Sequence, residues 1–175
     1  SGRGDVEIPH IVHAPTNRKV KGTDHILKAL DGLAAEGVKF RLTLVEGMPH
    51  MEAMRIYASA DLVVDQLFAG WYGGLAVEVM AMGIPVVSYI RTEDLRHIPS
   101  EMKEQLPIIN AHPGTVSSVL RDWLTDKRSR LRARGVESRR FVERWHDPVR
   151  IAGTLKNLYM ESLRKRHSGK HASIR

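Results

Sequence analysis

The chain has 175 residues, 42% hydrophobic and 27% charged, with a net charge of +7 and no cysteine. That length supports one compact domain with its own core, and the composition excludes both a disordered chain and a membrane-embedded one. Without thiols, disulfides and thiolate chemistry are excluded, which fits a reducing compartment such as the cytoplasm.

The first residue is Ser rather than Met, so residues 1–9 read as a cloning remnant or linker. The Arg-Gly-Asp tripeptide inside it reads as chance, because nothing else points outside the cell. No signal peptide opens the chain, and no apolar run approaches the ~20 residues of a spanning helix.

"HIVHA" (10–14) predicts a short apolar strand, followed by "PTNRKVKG", a loop dense in turn residues and cations. In "TDHILKALDGLAAEG", Ile26, Leu27, Leu30, Leu33 and Ala34 fall at helical spacing. Thr23 or Asp24 is the expected cap, and Gly37 the stop. "KFRLTLVEG" predicts a strand ending on Gly47, "HMEAMRIYASA" a short helix, and "DLVV" (61–64) a strand of the sheet interior. A loop over 65–73 leads to a helix from Gly74 to Met82, stopped by Gly83, and then to the strand "PVVSY". After a short connecting helix come the strand "LPIINA" (106–111) and the helix "TVSSVLRDWL" (115–124). Two last helices run through "RSRLRARGVESRRFVERW" and "PVRIAGTLKNLYMESLRKR", the second opened by Asp147 and Pro148.

Short all-apolar strands alternating with amphipathic helices predict an α/β domain: a Rossmann-like parallel sheet with helices on both faces. Residues 10–165 form that domain, and 166–175 a basic, flexible tail. In such sheets ligands sit outside the carboxyl ends of the strands. Three predicted loops meet there: "PTNRKVKG", "EGMPH" and "DQLFAGWYGG".

Gly73 and Gly74 leave backbone N–H groups bare at a helix mouth, where the dipole favours an anion such as a diphosphate. Glu78, one turn in, is placed to accept from hydroxyls such as a ribose diol. Arg18 and Lys21 supply a bidentate fork and a point charge for the same anion. The plainer alternative is that the glycines only turn the chain, Glu78 faces solvent and the cations are loop charges.

"NRKVKGTDHILKAL", "YASADLVVDQ" and "YGGLAVEVMAMGIPVV", over about residues 10 to 90, resemble the C-terminal, donor-binding domain of GT-B-fold retaining glycosyltransferases (glycosyl transferases group 1, the glycogen synthase and sucrose synthase type). That family carries a cation followed by Lys-Gly before its first helix, a "Y..AD" segment and a motif E-G-F-G-x-x-x-x-E-A-M-A-x-G-x-P-V-V. The resemblance implies one half of a GT-B fold, binding a nucleotide diphosphate sugar in a cleft against an N-terminal acceptor-binding domain. Arg18 and Lys21 would stabilise the departing diphosphate. Gly73, Gly74 and Leu75 would hold the phosphates through their backbone, and Glu78 the ribose. A donor half alone is expected to bind nucleotide weakly and catalyse little.

Two departures stand out. The first Glu of the family motif falls on Gly70, so sugar recognition must differ, with Asp65 a substitute from the preceding loop. The connection after "LVEG" is short, leaving Glu46, Gly47 and Met48 as the base-side candidates. Function is therefore expected to be sugar transfer to a saccharide or lipid-linked acceptor in polysaccharide biosynthesis. The alternative is a degenerate nucleotide-binding or assembly module of the same fold. A nucleotide-sugar epimerase of related fold would need its own catalytic acids, of which no distinct set is visible.

No cofactor or metal is expected: His10 and His13 sit on a predicted strand pointing to opposite faces, and no Asp-x-Asp is present. Trp71 and Tyr72 would stack on a ligand, face the missing domain or plug the sheet edge. Trp123, Trp145 and Tyr159 read as core, and the methionines as gap fillers. Residues 121–175 hold 16 Lys/Arg against 6 Asp/Glu, whereas 1–120 hold 11 against 14. This basic end reads as a solvated face, or as a peripheral contact with the anionic inner face of a membrane. Nucleic acid is not expected, since few aromatic residues interleave with the cations.

Overall fold

The computed structural model describes residues 8–170. Along the chain it contains β1 (His10–His13), α1 (Arg18–Lys21), α2 (Thr23–Ala35), β2 (Arg41–Leu44), α3 (His50–Ala58), β3 (Leu62–Val64), α4 (Gly74–Ala81) and β4 (Val86–Ser88). A 3-10 turn (Thr92–His97), α5 (Ser100–Gln105), β5 (Ile109–Asn110), α6 (Val116–Leu124), a second 3-10 turn (Arg128–Arg130), α7 (Leu131–Trp145) and α8 (Pro148–Lys170) complete it. The five strands form one Rossmann-like parallel sheet in the order β2-β1-β3-β4-β5.

Strands β3 and β4 are buried throughout, because helices cover both faces of the sheet. One core layer joins Ile11, Leu62, Val64 and Val87 to Ile26, Leu30 and Leu33 of α2 and Val116, Leu120 and Leu124 of α6. The other joins Val12, Val63 and Val86 to Ala53 and Tyr57 of α3, Ala76, Val79 and Met80 of α4, and Phe141 and Val142 of α7. The order reverses at β1 and β3, so the loops leaving these neighbours diverge and open a crevice between them.

Several boundaries differ from the sequence expectation. Part of the loop "PTNRKVKG" winds into α1, because Asn17 Oδ1 accepts the Val20 N–H at 3.1 Å and caps it. Gly22, at φ +74°, replaces Thr23 and Asp24 as the cap of α2; the Thr23 hydroxyl is taken by His13 instead. Gly37 ends α2 as expected, at φ +87°. α8 runs on to Lys170, past the boundary set for the tail; residues 1–7, with the Arg-Gly-Asp tripeptide, and 171–175 lie outside the described residues. Tyr159 is not core: α8 is exposed over 148–165, Tyr159 by 69%. Trp123 is buried and Trp145 half-buried.

His10 and His13 are both buried, and protein groups meet both ring nitrogens of each. The Val64 carbonyl, 2.7 Å from His13 Nδ1, accepts only, so that nitrogen carries the proton; Nε2 lies 2.8 Å from the Thr23 hydroxyl. Burial lowers the His13 pKa, and the bond to Val64 opposes this only in part. Burial lowers that of His146 as well. A histidine kept neutral in the fold costs nothing above its unfolded pKa. As pH falls below about 6.5, the unfolded chain gains protons that the folded one refuses, and stability drops. The melting temperature is expected to decline between pH 7 and 5, with a shallower decline in His13→Asn.

Candidate functional site

The crevice between β1 and β3 is bridged by charge. Lys21, at the end of α1, donates to Asp65 Oδ1 at 2.6 Å from just beyond β3. Asp65 is fully buried, and its Oδ2 accepts the Gly73 N–H at 3.2 Å. One carboxylate thus holds the cation and the start of the glycine stretch together. The Leu67 N–H, donating to the Lys21 carbonyl at 3.2 Å, closes the same crevice through the backbone.

Gly73 is the N-cap of α4, with no side chain to close its mouth. A Cβ there would stand 4.0 Å from Lys21 Nζ, and a larger side chain would intrude on the space above the ammonium. Around Gly74 nothing lies within 4 Å of such an atom, and the residue is exposed. Leu75 is half-buried. A lysine with two N–H groups beyond its bond to Asp65 therefore adjoins a helix N-terminus, two features that favour an anion.

Gln66 shapes the loop over 65–73. Buried beside Asp65, it accepts the Phe68 and Ala69 N–H groups at 2.9 and 2.7 Å on Oε1, while Nε2 donates to the Trp71 carbonyl and to Ser88 Oγ. One amide side chain thereby folds the loop back on itself. Tyr72 is buried, stacked on Trp71, with its hydroxyl 2.9 Å from His146 Nε2 at the end of α7. It plugs the sheet edge, and burial raises its pKa far above the ordinary phenol.

The remaining expected residues surround this centre. Arg18 spans the loops after β1 and β2, donating from Nε to Glu46 Oε1 at 2.8 Å and from Nη2 to Oε2. The pair holds the Glu46 carboxyl below its ordinary pKa and the guanidinium above its own. Glu78, exposed on α4, has its Oε2 3.3 Å from His50 Nε2 on α3. Gly47, at φ +63°, turns the chain between Glu46 and half-buried Met48. The three predicted loops thus meet along one edge.

One expectation changes. Asp65 has both oxygens engaged inside the protein, which gives it the role of holding Lys21 rather than of meeting a sugar. Gly70 lies at φ +78°, in a backbone region that a Glu rarely adopts. Sequence reasoning had no place for Gln66, His50 or Arg91; a polar pair directly after the apolar strand "LVV" was the one visible hint of the first. Among the described residues no group of three or more His, Asp or Glu is placed to hold a metal ion, and no helix is long and apolar enough to cross a membrane.

No protein-family model matches the chain, and no curated protein matches it in sequence. Solved structures do share its fold. A sucrose-phosphate synthase from Thermosynechococcus elongatus is similar at a TM-score of 0.62 and 20% identity, over 91% of this chain and 46% of that one. The pneumococcal O-GlcNAc transferase GtfA, solved with UDP and GlcNAc, follows at 0.57 and 14%, over 88% and 36%. A protein described as a putative UDP-N-acetylglucosamine 2-epimerase, from Listeria monocytogenes, is similar at 0.50 and 15%, over 79% and 44%. The chain spans less than half the length of each. It has the fold of one half of a GT-B glycosyltransferase. The epimerase shares that fold, so the choice of chemistry rests on the site.

Proposed function

We propose that this chain is the donor-binding half of a retaining glycosyltransferase and seats a nucleotide diphosphate sugar at the mouth of α4. The observation that carries the reading is the juxtaposition of Lys21 Nζ, held by Asp65, with the uncapped N-terminus of α4 at the crevice where the strand order reverses. The diphosphate lies across Gly73, Gly74 and Leu75. Lys21 turns its unused N–H groups to it, and Arg18 joins once Glu46 releases it. As the sugar departs, these cations stabilise the charge on the leaving diphosphate, without a metal. Glu78 exchanges His50 for the ribose hydroxyls, and the base lies over Glu46, Gly47 and Met48.

The acceptor, a saccharide or lipid-linked sugar in polysaccharide biosynthesis, comes from an N-terminal domain across the cleft, without which transfer is negligible. The enzyme works in the cytoplasm. The late helices, with Arg150 and Lys156 beside exposed Ile151, Leu155 and Leu158 on α8, meet the anionic inner face of the membrane. Gly70, whose backbone disfavours a carboxylate side chain, favours a second reading: a degenerate, non-catalytic nucleotide-binding or assembly module.

Calorimetry with UDP, GDP and ADP tests the site. One nucleotide is expected to bind, weakened roughly tenfold or more in Lys21→Ala, the usual cost of a charged hydrogen bond, and severalfold in Glu78→Ala. A cooperatively folded chain that takes up none of the three at millimolar concentration sinks the reading. Tight nucleotide binding without sugar transfer, once the chain is joined to its acceptor domain, selects the second one.

A further inference from the structure

The loop after β4 carries a cation that the reading above leaves unused. Three consecutive residues are pinned there. The Tyr89 N–H donates to the Gln66 carbonyl at 2.8 Å, and the Arg91 N–H to the Gly70 carbonyl at 2.8 Å. Between them, the Asn110 side chain accepts from the Ile90 N–H at 2.9 Å and donates to the Ile90 carbonyl at 3.0 Å. These bonds immobilise the base of an arginine whose side chain is 51% exposed.

Gly70 makes room for that side chain. A Cβ on Gly70 would lie 3.2 Å from Arg91 Cβ, 3.3 Å from Nη2 and 3.4 Å from Cζ. The guanidinium therefore lies close against Gly70. Its ion pair, Nη1 to Asp94 Oδ2 at 3.2 Å, joins two half-exposed groups and is weak. Most of the guanidinium fork is left for another acceptor.

The strand order says what that acceptor belongs to. The loops of β1 and β2, with Lys21, Arg18 and Glu46, flank the glycine stretch on one side, and the loop of β4 flanks it on the other. Gly73 lies three steps along the chain from Gly70, a span of at most about 11 Å. With the ribose on the Glu78 side and phosphates at Gly73 and Gly74, the group beyond the diphosphate reaches the Arg91 side. A neutral hexose offers hydroxyls, which an amide or a water would serve. A guanidinium on an anchored backbone matches a carboxylate, which it binds through two parallel N–H···O bonds.

We propose that Arg91 determines donor specificity by binding the carboxylate of a hexuronosyl group, an inference that rests on the donor-site reading above. The test is calorimetry with glucose and glucuronate linked to UDP, GDP and ADP, alongside the free nucleotides, on the wild type, Arg91→Gln and Arg91→Lys. For whichever base binds, the glucuronosyl ester is expected to bind about tenfold tighter than the glucosyl ester, as one charged pair would give. Arg91→Gln is expected to abolish that preference while leaving affinity for the free nucleotide unchanged, and Arg91→Lys to keep part of it. Equal affinity for the two esters, or a preference surviving in Arg91→Gln, overturns the role of Arg91 and leaves the donor site standing. Failure of every free nucleotide to bind overturns both.

Discussion

Replacing Gly135 by alanine is expected to lower stability by about 3 kcal/mol, the upper end of the usual overpacking cost. A Cβ at Gly135 would lie 2.0 Å from the Gly83 carbonyl oxygen and 3.0 Å from its carbon, where α7 crosses the end of α4. Both contacts are with backbone, so no side-chain rotation relieves them and one helix must shift. Gly83 is itself constrained, at φ +75°, with its N–H bonded to the Met80 carbonyl at 2.9 Å. In a chain of this size the melting temperature should fall by roughly 6–12 °C. Gly153→Ala is the control: nothing lies within 4 Å of its Cβ, and it should gain up to about 1 kcal/mol. Equal melting of Gly135→Ala and wild type would mean that the two helices do not approach this closely. Because α4 carries the glycine mouth at its other end, a shift that does not unfold the chain should still weaken nucleotide binding.

The second large effect concerns Lys21 and Asp65. Asp65→Asn keeps the shape but leaves an ammonium only 17% exposed beside a neutral amide, and Lys21→Met leaves a fully buried carboxylate unpaired. Each single change should cost roughly 3 kcal/mol, the penalty for breaking a buried pair from one side. The double variant should cost far less than the sum, since it removes both charges together. Denaturant unfolding of the four proteins measures that coupling. Additive costs would show that the bond at 2.6 Å contributes nothing of its own. Nucleotide affinity separates structure from chemistry: it should stay low in the double variant even where stability returns, because no ammonium then faces the helix mouth.

The sheet was legible because its strands are short, apolar and regularly interrupted. "DLVV" and "PVVSY" are too apolar for anything but the interior and too short for helices. The glycine mouth and Glu78 were legible because helix starts have strong residue preferences, and Gly73-Gly74 departs from them. Other features left no local trace. α1 has four residues, too few to show a period, and its signal was Asn17 within a run of turn formers. Only two residues of "LPIINA" join the sheet. Gln66 satisfies a loop through contacts that depend on how it folds back, and the approach of Gly135 to Gly83 joins helices far apart in sequence. Tyr159 misled because helical spacing of apolar residues marks a face without saying that anything covers it. Arg91 looked like any loop cation; only the positive φ of Gly70 and the bonds around it set it apart.

The pairing of Arg18 with Glu46, Lys21 with Asp65 and Glu78 with His50 has a kinetic side. Arg18 and Lys21, the cations proposed for the diphosphate, each have their field largely cancelled by a neighbouring carboxylate, so little potential extends into solvent. A diphosphate arriving by diffusion is attracted over only a short range, and its capture gains little from long-range steering. On contact, the anion must take the place of a carboxylate already bound to Arg18. Such a site should fill slowly for a cationic cleft, and its on-rate should depend only mildly on ionic strength.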